Sequence, residues 1–159
     1  MGSRSKISLA YIAGFLDGDG SLMLQIKKRR DSARAMRLMC TIVFYQDTRH
    51  EKPLHWIREI LGIGYLSRRN DGMSELRVNG FVQVRDILSD LAPYIRFKKV
   101  QTAALLKAAM ILSGKTFKKL ARRELGLLAR CMEVIQKDNY ASRRKKSSGE
   151  IRRLLGLTP

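Results

Sequence analysis

Cysteine is nearly absent. Cys40 and Cys131 are the only two in 159 residues, they lie far apart, and neither has a Cys-x-x-Cys companion. The pair therefore reads as two buried apolar thiols rather than a zinc site or a disulfide. No apolar run is long enough to span a bilayer, and the opening Met1-Gly2-Ser3-Arg4-Ser5-Lys6 lacks the apolar core of a signal peptide. Lys6 stands where a myristoylation signal needs Ser or Thr, so no lipid anchor is implied. With no membrane partner and no targeting peptide, the expected setting is intracellular: a prokaryotic cytoplasm, archaeal included, or an organelle matrix or stroma. Low-complexity tracts and clear linkers are missing too. Acids are also scarce: 14 Asp and Glu stand against 32 Lys and Arg, a formal net charge of +18. Such a field draws polyanions, since each phosphate neutralised releases counterions. Basic residues lie on strand-like as well as helical segments, which favours nucleic acid over anionic membrane.

What is present suffices for one folded unit. Hydrophobic residues make up 45% of the chain, and its length fits a single domain over residues 1–159, with a core at about 7–138 and a basic tail at about 139–159. Ser8 to Gly18 reads as a helix, with Ser8 a candidate N-cap and Leu9, Ile12 and Leu16 on helical spacing. Ser21 to Arg30 and Arg37 to Gln46 alternate with period two, which predicts an antiparallel hairpin with a charged turn at about 28–34. Leu22, Leu24, Ile26, Leu38, Cys40, Ile42 and Phe44 share its greasy face. Pro53 suits the first turn of a helix that Gly62 ends. A second hairpin, Ile63 to Arg69 and Ser74 to Asn79, turns at Asn70-Asp71-Gly72. Helices are predicted at 81–91, 98–112 and 117–137, and a short one near Arg152-Arg153. The order is α-β-β-α-β-β-α with helices appended, an α+β class with an antiparallel sheet. Both hairpins turn long polar or basic side chains outward, and a two-stranded ribbon fits the DNA major groove. A solvated sheet face is the plain alternative, and the charge tips the balance.

The stretch from Leu9 to Ser21 is the most specific. Ala10, Ala13, Gly14 and Asp17 form a narrow stripe of small residues, a spacing that lets two helices approach closely. The rest of the helix is apolar nearly all round, which predicts burial on both sides. It ends in Asp17 and Asp19, at the negative end of its dipole. If two copies pack in parallel, the Asp19 carboxylates converge, and a hard divalent cation would relieve their repulsion. An EF-hand would need Gly at 22 and Glu at 28, where Leu22 and Lys28 stand; a phosphate-cradling Gly loop would need its third Gly where Met23 stands. A helix stop with two solvated acids remains the open alternative on these residues alone.

The stretch Leu9-Ala10-Tyr11-Ile12-Ala13-Gly14-Phe15-Leu16-Asp17-Gly18-Asp19-Gly20 resembles the signature of the LAGLIDADG homing endonucleases, and the single copy resembles their one-motif, homodimeric branch. The resemblance implies two α-β-β-α-β-β-α subunits joined through the motif helices, their sheets forming a saddle over a long pseudo-palindromic DNA target. It implies an intron-encoded enzyme that cuts both strands across the minor groove, leaving 3′ overhangs, with Mg²⁺ or Mn²⁺. Ca²⁺ is expected to bind without supporting cleavage. Asp19 matches the metal carboxylate, with the Gly18 carbonyl as companion ligand, and Asp17 the structural acid of the motif. Gln46 matches a position that organises water near the metals, and Lys98 an active-site lysine able to stabilise phosphate charge. Either His50 or Arg49 fills a basic position after Gln46. Base reading falls to Gln25, Lys27, Arg29, Arg37, Met39, Ser67, Arg69, Glu75 and Arg77. Arg or Lys suits guanine, Gln suits adenine, and Glu accepts from cytosine. Ser142, Arg143, Arg144, Lys145 and Lys146 resemble a segment that grips DNA backbone. Two other functions fit the same scaffold: an RNA-splicing maturase bound to intron RNA, and a catalytically silent DNA-binding regulator. Intact Asp19, Gln46 and Lys98 argue against the silent regulator.

Overall fold

The structure, a computed structural model, describes residues 4–29, 32–139 and 144–158, with the backbone alone at 28, 29 and 32–35. In chain order it holds α1 (Lys6–Asp19), β1 (Gly20–Arg29), β2 (Ser32–Asp47), a 3-10 turn (Thr48–His50), α2 (Lys52–Leu61), β3 (Tyr65–Arg68) and β4 (Met73–Asn79). There follow α3 (Phe81–Leu91), a second 3-10 turn (Ala92–Tyr94), α4 (Lys99–Gly114), a third (Phe117–Lys119), α5 (Arg122–Asp138) and α6 (Ser148–Leu154). This is the expected α+β order with appended helices. The strands form one four-stranded sheet in the order β1-β2-β4-β3, antiparallel throughout.

Period-two alternation determines which side chains the sheet buries. Leu22, Leu24, Ile26, Leu38, Cys40, Ile42, Phe44, Leu76 and Val78 form the buried face. Helices α1, α4 and α5 pack on the β1–β2 half, and α2 and α3 on β2 and β4. Burial pushes the Cys40 thiol up to about 12, with Cys131 adding to the rise, and both thiols are free. The second hairpin turns where expected, with Gly72 at φ 79° and the Asp71 carboxylate accepting the Met73 N–H. Gly62 ends α2 in the left-handed region, as Gly62 was expected to do.

Four expectations need correction. First, α1 begins at Ser5, not Ser8: the Ser5 hydroxyl accepts the Ser8 N–H at 3.1 Å. Ile7, on the added turn, is 84% exposed and so stands outside the apolar spacing that marked the helix. Second, the second strand starts at Ser32 and not at Arg37, so the first hairpin pairs as far as Arg29 opposite Ser32, with a register shift at Lys28/Arg29. Third, Phe117 to Lys137 is not one helix. A 3-10 turn precedes α5, where the Glu124 carboxylate reaches back to the Ala121 N–H and fixes a fresh start. Fourth, the tail belongs to the core: Ile151, Leu155 and Leu157 are buried with it.

Candidate metal centre and nucleic-acid interface

The two acids of α1 have different fates. Asp17 is buried and spends its carboxylate inside the chain. Oδ2 accepts the Arg96 and Phe97 N–H groups at 2.6 and 3.2 Å, and Oδ1 the Lys98 N–H at 3.0 Å. These N–H groups lead into α4, so Asp17 acts as an N-terminal cap supplied from 79 residues away in sequence. The Lys98 ammonium closes the loop by donating to the Asp17 carbonyl. Its position counters the negative end of the α1 dipole. Burial draws the Lys98 pKa down, while Asp17 and Asp19 pull it back up. Removing the carboxylate with Asp17→Ala leaves three donors unpaired, and should lower unfolding stability by roughly 3 kcal/mol. Urea unfolding at fixed protein concentration measures this.

Asp19, two residues later, is exposed and makes no hydrogen bond or salt bridge among the described residues, although its charge acts on Lys98. The last four carbonyls of a helix lack intrahelical donors. Leu16's takes the Gly20 N–H and Asp17's takes Lys98, which leaves the Gly18 and Asp19 carbonyls beside the Asp19 carboxylate. An unpaired carboxylate and an open carbonyl are the oxygen donors that a hard divalent cation prefers, so the residues fit a Mg²⁺-type ion. Among the described residues no cluster of three or more His, Cys, Asp or Glu could hold one. Gly20 lets β1 start directly beneath: a Cβ there would lie 2.7 Å from the Leu16 carbonyl oxygen.

The far end of β2 reaches the same place. Gly20 pairs with Phe44 in register, so Gln46 lies two residues past the first residue of β1, near the end of α1. Arg49 is committed to Asp47, donating from its backbone N–H, Nε and Nη2 at 2.9, 3.0 and 2.8 Å. That pair holds the Asp47 carboxyl well below the usual carboxylate range. His50 is exposed and makes no hydrogen bond or salt bridge among the described residues, though it adds electrostatically to the lowering of Asp47.

Sequence reading missed the residue beside it. Glu51 is 9% exposed, and its carboxylate takes Arg68 Nε at 3.1 and 3.2 Å, Arg68 Nη2 at 2.6 Å and the Ser74 hydroxyl at 2.5 Å. Those bonds hold Glu51 down at about 2, below its ordinary 4.5. A depressed carboxyl stabilises the fold above the unfolded value and loses that contribution as pH falls through the folded one. Wild-type stability should therefore decline between about pH 4.5 and 2 more steeply than that of Glu51→Gln, as urea midpoints across that window would record.

The second sheet face carries rows fixed by register: Lys27 beside Arg37, Gln25 beside Met39, Ser21-Val43-Arg77-Tyr65 with Val43 itself buried, and Tyr45-Glu75-Ser67. Lys27 and Arg37 are exposed, and neither has a partner among the described residues. Arg77 donates to Glu75 at 3.0 and 3.2 Å, and Arg69 pairs with Asp71 at 2.7 Å, so both would have to exchange partners to meet DNA. Arg29 lies opposite Ser32 in register, and its side chain lies outside the described residues. A cleft of about 440 Å³ joins this face to the end of α1. Gly18, Gln25, Lys27, Tyr45 and Lys98 line it with Arg144 and Lys146 of the tail. Of the remaining tail residues Lys145 is exposed, and Ser142 and Arg143 lie outside the described residues. Tyr45 and Tyr65 were not read as site residues, although alternation along β2 already put Tyr45 on this face.

The pairing stripe needs one more correction. Ala13 is fully buried and Asp17 nearly so, both within their own chain. The exposed line is instead Ile7, Ala10, Tyr11, Gly14 and Gly18. Four-residue steps turn a helix by only about 40°, so Ala10, Gly14 and Gly18 stay in one row while Ala13 rotates away. One side of α1 is therefore open in the single chain.

Comparison with known proteins agrees with this geometry. The LAGLIDADG endonuclease family model matches residues 12–109, and the chain belongs to that family. It is 34% identical over 104 residues to the DNA endonuclease I-CvuI of Chlorella vulgaris, covering 65% of either chain. It is 30% identical over 103 residues to the DNA endonuclease I-CreI of Chlamydomonas reinhardtii, covering 65% of this chain and 63% of that one. The matched stretch thus spans just under two thirds of these relatives' length. The crystal structure of I-CvuI in complex with the I-CreI target in the presence of Mg superposes with a TM-score of 0.82 at 28% identity, over 95% of this chain and 94% of that one. The archaeal intron-encoded homing endonuclease I-Vdi141I, complexed with DNA, shares the fold at a TM-score of 0.77 and 23% identity, over 94% and 95%. No helix among the described residues is long and apolar enough to cross a membrane.

Proposed function

We propose that this chain is a homing endonuclease that works as a homodimer and makes a double-strand break in a long pseudo-palindromic DNA target, leaving 3′ overhangs. The observation that carries this reading is Asp19: an unpaired carboxylate at the end of an open-sided helix, at the rim of a basic sheet face, in a family whose named relatives are DNA endonucleases. Pairing through Ala10, Gly14 and Gly18 would bring two Asp19 carboxylates together, completing a centre that one chain only half supplies. An apolar groove of about 370 Å³ lined by Ile7, Tyr11, Pro53 and Trp56 borders the same helix face.

Asp19 and the Gly18 carbonyl would hold Mg²⁺, or Mn²⁺ in its place, which supplies an activated water and charge stabilisation at the leaving oxygen. Lys98, fastened to the end of α1, directs its positive charge toward the scissile phosphate. Gln46 orders water at the end of β2. As the basic group at the turn we take His50 over Arg49, whose guanidinium is bonded to Asp47. Gln25, Lys27, Arg37 and Met39 lie over one groove segment, and Ser67, Arg69, Glu75 and Arg77 over the next. Arg144, Lys145 and Lys146 border the phosphate backbone beside them. The work requires an intracellular setting with access to the host genome.

The test is to map the ends produced on a plasmid carrying the uninterrupted sequence into which the coding element inserts. Two staggered breaks at one position with 3′ extensions are expected. Tight binding to the intron RNA with no DNA cut would instead support a maturase.

A further inference from the structure

We infer that Glu51 is a positioning residue for the cutting centre: its buried carboxylate fixes the turn that carries His50 and the strand end that carries Gln46. The inference rests on placing His50 and Gln46 in that centre.

Glu51 occupies the N-cap position of α2, yet its side chain makes no capping bond to that helix. It turns toward the sheet instead, where Arg68 of β3 grips both oxygens and Ser74 of β4 donates to one. Ser74 is the register partner of Gln46, and its hydroxyl lies 3.0 Å from the Thr48 hydroxyl. The Thr48 N–H donates to the Gly72 carbonyl at 2.9 Å. Residues 46–51 are thus tied to the second hairpin at Gln46, at Thr48 and at Glu51. His50 sits between the last two ties, exposed and with no side-chain hydrogen bond or salt bridge among the described residues, only an electrostatic influence on Asp47, so its backbone chiefly locates it.

Packing alone does not account for this acid. Burying a carboxylate is unfavourable unless every lone pair is served, and a well-packed apolar residue would stabilise the site as well or better. An apolar residue would lack direction, however. Two hydrogen-bonded strands and a fork of guanidinium bonds specify where the turn sits to a fraction of an ångström. A reacting group needs that, because small misplacements are magnified in rate.

The test is single-turnover cleavage of a pre-bound duplex carrying the insertion sequence, with Mg²⁺ and excess protein, for wild type, His50→Ala, Glu51→Gln, Arg68→Gln, Ser74→Ala and the Glu51→Gln/Arg68→Gln pair. Amide exchange at 46–51 and target affinity are followed in parallel. Glu51→Gln should slow cleavage about tenfold with affinity within about twofold, and exchange at Thr48 to His50 should rise. Arg68→Gln and Ser74→Ala should slow it in the same way, and the pair should be no slower than Glu51→Gln alone, since the two residues act as one unit. If Glu51→Gln does not fold, Arg68→Gln and Ser74→Ala carry the test by loosening the same carboxylate from outside. A slow His50→Ala with full-rate network variants, merely less heat-stable, would overturn the inference and leave the site assignment standing. A full-rate His50→Ala would overturn both.

Discussion

Asp19→Asn should reduce cleavage about a thousandfold or more while the protein still binds its target. The substitution keeps size and shape and removes only the charge. Asp19 makes no hydrogen bond or salt bridge among the described residues, so the fold should hold, with only its electrostatic pull on Lys98 lost. Affinity should hold or rise slightly, because one negative charge leaves a surface that must approach phosphate. Cleavage and gel-shift measurements on the same preparation separate the effects. Undiminished cutting would remove Asp19 from the chemistry, and parallel loss of binding would make it a contact rather than a metal ligand. Asp17→Asn offers the contrast. It should lower stability first and activity through it, since the Asp17 carboxylate holds the N–H groups entering α4 and its carbonyl holds the Lys98 ammonium.

Gly14→Leu should convert a dimer into a folded monomer. A side chain at Gly14 meets nothing within 4 Å in its own chain, and leucine is a better helix former than glycine by nearly 1 kcal/mol. The subunit by itself should therefore tolerate the change or gain from it. Only a second helix approaching along Ala10, Gly14 and Gly18 would be blocked. Sedimentation should find wild type near twice the chain mass of 18.2 kDa and the variant at that mass, with an unchanged far-ultraviolet spectrum and no double-strand cutting. A variant that remains dimeric and active would place the partner surface elsewhere.

The sheet was largely legible in the sequence because alternation is a local signal. Leu22, Leu24 and Ile26 face one way and Gln25 and Lys27 the other whatever the rest of the chain does. The helix ends were less so. Ser5 and Ser8 are both good caps, and only Lys6 and the exposed Ile7 lie between the two readings. The small-residue stripe showed that α1 packs closely without showing which side does. Ala13 turns inward and Gly14 outward because Asp17 is claimed by N–H groups at 96–98, about 80 residues away in the chain. Glu51 was silent for the same reason. Arg68 and Arg69 are indistinguishable neighbours until the register sets Arg68 opposite Ser74 and beside Glu51. The break before α5 carried a faint signal, Glu124 three residues after Ala121, with no glycine or proline to mark it.

The most direct test of the central claim is the fate of supercoiled plasmid bearing the uninterrupted insertion sequence, with wild-type protein in Mg²⁺ and again in EDTA. The predicted result is one linear product cut at a single position in Mg²⁺ and intact supercoiled DNA in EDTA. Cutting that persists in EDTA, or degradation at many positions, would contradict a metal-dependent, site-specific break made at the paired ends of α1.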